Sequence, residues 1–151
     1  MTEINDEKMV EKKKIKPAAK RAGMQVRAKK KTAIARATIK KGDGKIKINH
    51  MSLNAYSEGH VLSLIKEPLK IAHEIASDYN INIIVKGSGR MSQAFAIRSV
   101  IAKAFVKAKG KKLKELFTLY DRTLLVDDVR KVETKKPLGR KARAKKQQSK
   151  R

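Results

Sequence analysis

Apolar side chains recur at a regular period only in the middle of this chain, which confines any packed core to residues 30–128. The flanks are built from charge. Residues 1–31 hold eleven Lys or Arg and four acidic residues, and residues 129–151 hold eleven and one. The 97 residues between them are milder, with seventeen basic and nine acidic. At 151 residues there is room for one ordinary domain. The expected organisation is a basic N-terminal extension over 1–29, disordered alone, a globular core over 30–128 and an extended basic tail over 129–151.

A formal net charge of +25 repels itself unless a polyanion is present, and nucleic acid is the commonest one. An acidic membrane fits less well. Trp is absent, aromatics are few, and neither end reads as a basic amphipathic helix. No apolar run is long enough to span a bilayer, and MTEINDEKMVEKKK lacks the apolar centre of a secretory leader. With no cysteine there are no disulfides and no thiolate metal sites, in keeping with a reducing interior.

Within the core, TAIARATI at 32–39 places Ala33, Ala35, Ala37 and Ile39 on one side of a strand. Gly42-Asp43-Gly44 follows, then Ile46 and Ile48 alternate against Lys45 and Lys47. Strand, glycine turn, strand predicts a β-hairpin. Lys45 and Lys47 form either a solvated strand face or an RNA contact. Gly59 and Pro68 interrupt residues 54–77, so a short turn near Tyr56 is expected. A helix then begins near Glu67-Pro68, runs through Leu69, Ile71, Ala72 and Ile75, and ends at 78–80. INIIVK at 81–86 reads as a third strand, buried on most sides. Ala94, Ile97, Ile101, Ala104 and Phe105 have helical spacing up to Gly110, and Leu113, Leu116, Phe117 and Tyr120 share a face of a further helix. Residues 124–126 form a last strand. The fold class is α+β: a small mixed sheet of about four strands with two or three helices packed on it, the alanines allowing close approach.

Catalytic chemistry finds little support. His50, His60 and His73 are far apart and lack metal-ligand spacing. Asp127-Asp128, set among Arg122, Arg130 and Lys131, suits ion pairs or a cap better than acid–base work. No G-x-S-x-G elbow occurs. GSGR at 87–90 lies between a strand and a helix, where free backbone N–H groups can hold a phosphate. It is neither a P-loop nor G-x-G-x-x-G, and it needs a positive φ at Gly87 or Gly89. No catalytic residue, metal or cofactor is expected.

The tail answers to polyanion physics. Each Lys or Arg that neutralises a phosphate releases a counterion, so a handful of contacts binds strongly and salt-sensitively. Arg130, Arg140, Arg143 and Arg151 add forked donors that grip phosphate or stack on a base. Such a segment orders itself on RNA.

Four stretches resemble a known family: KKTAIARATIKKGDGKIKIN at 30–49, GSGRMSQAFAIRSVIAKAF at 87–105, LYDRTLLVDDVRKVETKKPLGRKARAKKQ at 119–147, and the final QSKR. In order and spacing they are similar to the ninth-protein family of the small ribosomal subunit, in its archaeal and eukaryotic-like form. Gly87-Ser88-Gly89 stands where the family usually has three glycines, and Val129 where it often has proline. The resemblance implies a βαβ unit with a left-handed crossover, against the usual preference. It implies a place in the subunit head on ribosomal RNA, beside neighbouring head proteins, in cytoplasmic ribosomes. It also implies a tail that threads toward the peptidyl-site transfer RNA, with Ser149, Lys150 and Arg151 nearest to it.

Charge pattern and resemblance together set the expected RNA-binding residues. They are Lys30, Lys31 and Arg36, then Gly87, Ser88, Gly89, Arg90, Gln93 and Arg98. In the tail they are Arg130, Lys131, Lys135, Lys136, Arg140, Lys141, Arg143, Lys145 and Lys146. Two rivals share the charge or the turn. A DNA-compacting protein needs neither this glycine turn nor this tail, and a small-molecule kinase needs a metal-binding carboxylate and a longer phosphate loop.

Overall fold

Five strands form one mixed sheet in the order β1-β2-β5-β3-β4. The structure, a computed structural model, describes residues 23–144. The strands are β1 (Met24–Lys30), β2 (Ala33–Lys41), β3 (Ile46–Ile48), β4 (Met51–Ser52) and β5 (Tyr79–Lys86). The helices are α1 (Leu53–Tyr56), α2 (Gly59–Ile71), α3 (His73–Ala76), α4 (Arg90–Lys109) and α5 (Lys111–Tyr120), with one 3-10 turn at Arg122–Leu124. The α+β class stands. α4 lies on β1 and β2, and α2 and α5 pack on α4. The small residues anticipated at this layer, Ala33, Ala35, Ala37, Ala94 and Ala104, are all buried.

The glycine turn does reverse the chain, but the expected hairpin does not close. β2 and β3 never pair. β5 sits between them, antiparallel to β2 and parallel to β3. The gap is held open at both ends of β3. Lys45 N–H donates to Asn80 Oδ1 at 2.7 Å, and Gly42 N–H to the Asp78 carbonyl at 2.9 Å. At the far end, the Asn49 side chain accepts from Val85 N–H at 3.0 Å and donates to the Val85 carbonyl, standing in for the next rung of the ladder. Nothing local in residues 33–48 announces that a strand some thirty residues later will occupy the gap.

Other expectations are corrected in the same way. β1 lies within the stretch read as a disordered extension, so the sheet begins at Met24. It pairs with β2 along its length through a two-residue turn, Lys31-Thr32. Lys31 supplies the positive φ (54°), so the usual Gly or Asn signal is missing. α2 starts at Gly59 rather than near Glu67, and Pro68 sits near its end. There a missing N–H costs one bond only, and Ala72 N–H still reaches the Pro68 carbonyl. β5 is buried on one side and exposed on the other, with Ile84 51% exposed, because no helix among the described residues covers the second face of the sheet. On α5 only Leu113 and Phe117 are buried, while Leu116 and Tyr120 face solvent. Residues 122–124 form the 3-10 turn in place of a last strand, its Leu124 fully buried.

One charged side chain belongs to the core. Arg98 is 7% exposed, and its guanidinium lies between Glu67 of α2 and Asp121 after α5. Nη1 donates to Asp121 Oδ2 at 2.9 Å, while Nε meets Glu67 Oε2 at 2.6 Å as an ion contact without the alignment of a hydrogen bond. Burial pushes the Asp121 carboxyl up, but donors from Thr123 and Arg98 outweigh it and hold the pKa below the ordinary aspartate value. The Arg98→Ala variant strands two carboxylates and is expected to lose about 3 kcal/mol in urea unfolding, whereas Arg36→Ala changes stability by less than about 0.5 kcal/mol. A carboxyl with a depressed folded-state pKa stabilises above its unfolded pKa and loses that contribution as pH falls through the folded value. Stability of the unaltered protein therefore falls more steeply below about pH 4 than that of Asp121→Asn, measured by unfolding midpoints at successive pH values.

Candidate nucleic-acid interface

Gly87 to Arg90 connect β5 to α4, and all four are exposed. Gly87 has φ +86°, and a Cβ there would stand 2.5 Å from the Thr32 carbonyl oxygen, so only glycine fits against the β1–β2 turn. The second positive φ belongs to Ser88 (56°), not to Gly89, which adopts extended backbone and starts the helix. α4 has no side-chain cap and no acidic residue in its first turn. Its first amides are left for an outside acceptor, with Arg90 beside them.

Gln93 braces this turn instead of reaching outward. Its Nε2 donates to the Gly87 carbonyl at 3.1 Å, and its Oε1 accepts from the Tyr56 hydroxyl at 2.9 Å. Burial pushes the Tyr56 pKa up, against a smaller opposing effect of Arg90. Gln93 thus positions backbone donors, and its own amide is occupied. Arg98 is likewise spent inside the core and is withdrawn from the expected contact set, because its charge is matched by Glu67 and Asp121.

The tail leaves the core at an ion-paired anchor. Asp127 accepts from Lys103 Nζ at 2.6 Å and from Lys29 N–H at 3.0 Å. Asp128, whose side chain is 6% exposed, meets Arg130 at 2.8 Å and Lys30 at 3.3 Å. Hydrogen bonds from the Arg130 side chain and backbone hold the Asp128 carboxyl well below the usual carboxylate range. Lys30 Nζ also sits 5.5 Å from the centre of the Phe95 ring, a cation–π contact. The carboxylate pair is structural, as its basic neighbours suggested.

Beyond the anchor, Arg130, Lys131, Lys135, Lys136, Arg140, Lys141 and Arg143 are exposed and project from chain with no helix or strand. The stretch is not extended throughout. A turn at 137–139 returns Arg143 to Glu133, with Arg143 Nη2 donating at 2.6 Å. Glu133 is the one carboxylate in residues 129–151, and that Arg143 donor lowers its pKa. Lys145, Lys146, Ser149, Lys150 and Arg151 lie outside the described residues. Lys31 and Arg36 are exposed, Lys31 in the β1–β2 turn and Arg36 on the sheet face away from the helices. The three histidines are exposed in separate parts of the fold and are not brought together.

The anchor was hidden from sequence reasoning because it joins β1, α4 and the tail across some hundred residues. The only local sign was the Asp127-Asp128 pair beside Arg130.

Residues 28–151 match the family model described as Ribosomal protein S9/S16. The chain is similar to proteins named small ribosomal subunit protein uS9. The one from Methanococcus maripaludis strain C5 is 46% identical over 124 residues, covering 80% of this chain and 92% of that one. Those of Thermoplasma volcanium and Thermoplasma acidophilum are 47% and 48% identical over 122 residues, with 80% of this chain covered in each case and 92% and 95% of theirs.

Replacing Asp128 by Asn removes the negative charge shared by Lys30 and Arg130 and one of the two oxygens that accept from Arg130. Amide exchange at Arg130 is expected to run roughly fivefold faster by hydrogen-exchange mass spectrometry, with amides in β5 unchanged.

Proposed function

Because this chain belongs to the ribosomal protein S9/S16 family, we propose that it is a non-enzymatic structural component of the small ribosomal subunit in cytoplasmic ribosomes. In this reading the core sits on ribosomal RNA in the subunit head, among neighbouring head proteins. The β3–α2–β5 crossover is left-handed, as the family resemblance implies. The tail runs through RNA toward the peptidyl-site transfer RNA, and Ser149, Lys150 and Arg151 come nearest to it. The observation that carries the reading is a tail sequence of eleven basic residues and one acidic residue whose described part, 129–144, starts from a fixed anchor and buries almost nothing of its own. Phosphates supply the surface such a segment lacks.

The division of labour follows from the anchor. Lys29, Lys30, Lys103, Asp127 and Asp128 fix the direction in which the tail leaves the core. The uncapped amides of α4 and the exposed backbone of Gly87 and Ser88 offer a docking point for one RNA phosphate. Glu133 holds Arg143 until phosphate competes for it.

Tagged protein from a lysate should co-sediment with small subunits and leave that fraction after ribonuclease treatment. Sedimentation sensitive to deoxyribonuclease instead would favour a DNA-compacting protein. Deleting 149–151 is expected to weaken transfer RNA binding to purified subunits about tenfold while incorporation into subunits stays near normal. Failure of the truncated chain to enter subunits would contradict the separation of tail and core roles.

A further inference from the structure

The two faces of the sheet differ in how their charges are partnered. On the helix side several basic groups are matched, Lys30 with Asp128, Lys103 with Asp127, and Arg98 with Glu67 and Asp121, while the lysines around α5 are exposed without a carboxylate partner among the described residues. On the other side no helix packs among the described residues. There the register sets Arg27, Arg36 and Ile84 side by side across β1, β2 and β5, with Lys86 opposite Ile34 in the next row. Lys47 joins the same face through its pairing with Asn82. None of the residues that β1, β2, β3 and β5 turn toward this face is Asp or Glu. Among the described residues, Arg27, Arg36, Lys47 and Lys86 have no carboxylate within ion-pair distance, and all four are exposed.

Arg27 and Arg36 are direct cross-strand partners. Like charges placed opposite each other destabilise a strand pair. With no acid nearby among the described residues, that repulsion is unrelieved within them, and an external polyanion removes it. The grid is close-set: neighbouring strands are about 5 Å apart and same-face residues about 7 Å apart along a strand. Ile34 and Ile84 lie within it, giving apolar area between the charges. No aromatic residue is present for base stacking, so the face suits sugar and phosphate more than base identity. The face is also continuous with the tail, since Lys29, Lys31 and Ile34 line one groove with Arg130 and Lys131.

We propose that this open sheet face is a second RNA-contacting surface, which holds the sugar–phosphate backbone of structured RNA through Arg27, Arg36, Lys47 and Lys86. It rests on the ribosomal reading and adds a surface that the glycine turn and the tail do not include. An RNA path that starts on the sheet and continues along Arg130 and Lys131 links the core contact to the tail. Charge on both stretches then acts on one RNA region.

The test uses the full chain and transcribed small-subunit head-domain RNA, with filter binding between 50 and 300 mM potassium chloride. The triple variant Arg27→Gln/Arg36→Gln/Lys86→Gln is compared with Lys109→Gln/Lys111→Gln/Lys114→Gln, which removes equal charge from exposed positions around α5. Loss of three phosphate contacts should lower the slope of log affinity against log salt by roughly two to three and weaken binding at least tenfold, with much smaller changes in the α5 variant. Equal effects of the two variants would overturn the surface, since net charge alone would then explain binding. If the unaltered chain shows no preference for this RNA over duplex DNA, the ribosomal reading itself fails and the surface with it. A thermal midpoint of the sheet-face variant at or above that of the unaltered protein supports the unrelieved repulsion, while a drop of several degrees would assign these side chains to the fold and overturn the proposal. A photo-crosslinking side chain at Ile84 should attach to RNA in assembled subunits, and attachment to an acidic protein instead would also overturn it.

Discussion

β5 is bonded on both sides, over eight register pairs with β2 and three with β3, and the other features of the molecule depend on that double ladder. It brings Gly87 against the Thr32 carbonyl and so fixes where the β5–α4 turn stands relative to the β1–β2 turn. It aims α4 back across β1 and β2, which seals the alanine-lined layer and places Phe95 under Lys30. Among the described residues it also leaves the second face of the sheet without a covering helix, because the long helices are committed to the first.

This arrangement sorts charge as well as apolar area. The carboxylates at Glu67, Asp121, Asp127 and Asp128 meet their basic partners on the helix side or at the tail anchor. Among the described residues most of the unmatched charges are basic. Exposed ion pairs add little to stability, and the partly buried ones matter mainly because losing one partner leaves the other stranded. The fold therefore spends its few acids on holding elements together. It presents an excess of positive charge to any polyanion, and that excess drives binding that weakens steeply with salt.

Much of this was legible in the residues. The strand at 33–41, the helix over 90–109 and the turn at 87–90 follow from periodicity and glycine placement, because those signals are local. The hairpin failed for a non-local reason: residues 33–48 specify a reversal but not its width. β1 failed because Lys31, rather than Gly or Asn, takes the positive φ of its turn. The start of α2 was misread because Gly59 and Pro68 were treated as breakers, while they occupy its beginning and its last turns, where the backbone tolerates them. Charge pattern and resemblance place Gln93 and Arg98 among the RNA contacts, whereas in the fold one braces a turn and the other is an interior cation.

The sequence by itself determined the class of partner, since net charge and its segregation into the ends require a polyanion whatever the fold. It also determined the α+β class and the glycine turn, through local periodicity and the φ values that L side chains avoid. Only the tertiary structure decided which basic residues are free to act. Pairing across distant segments, as in Lys30 with Asp128 or Arg98 with Asp121, consumes some charges and leaves others exposed in register on one face. Spacing along the chain carries no information about that choice, because it is made where strands and helices meet.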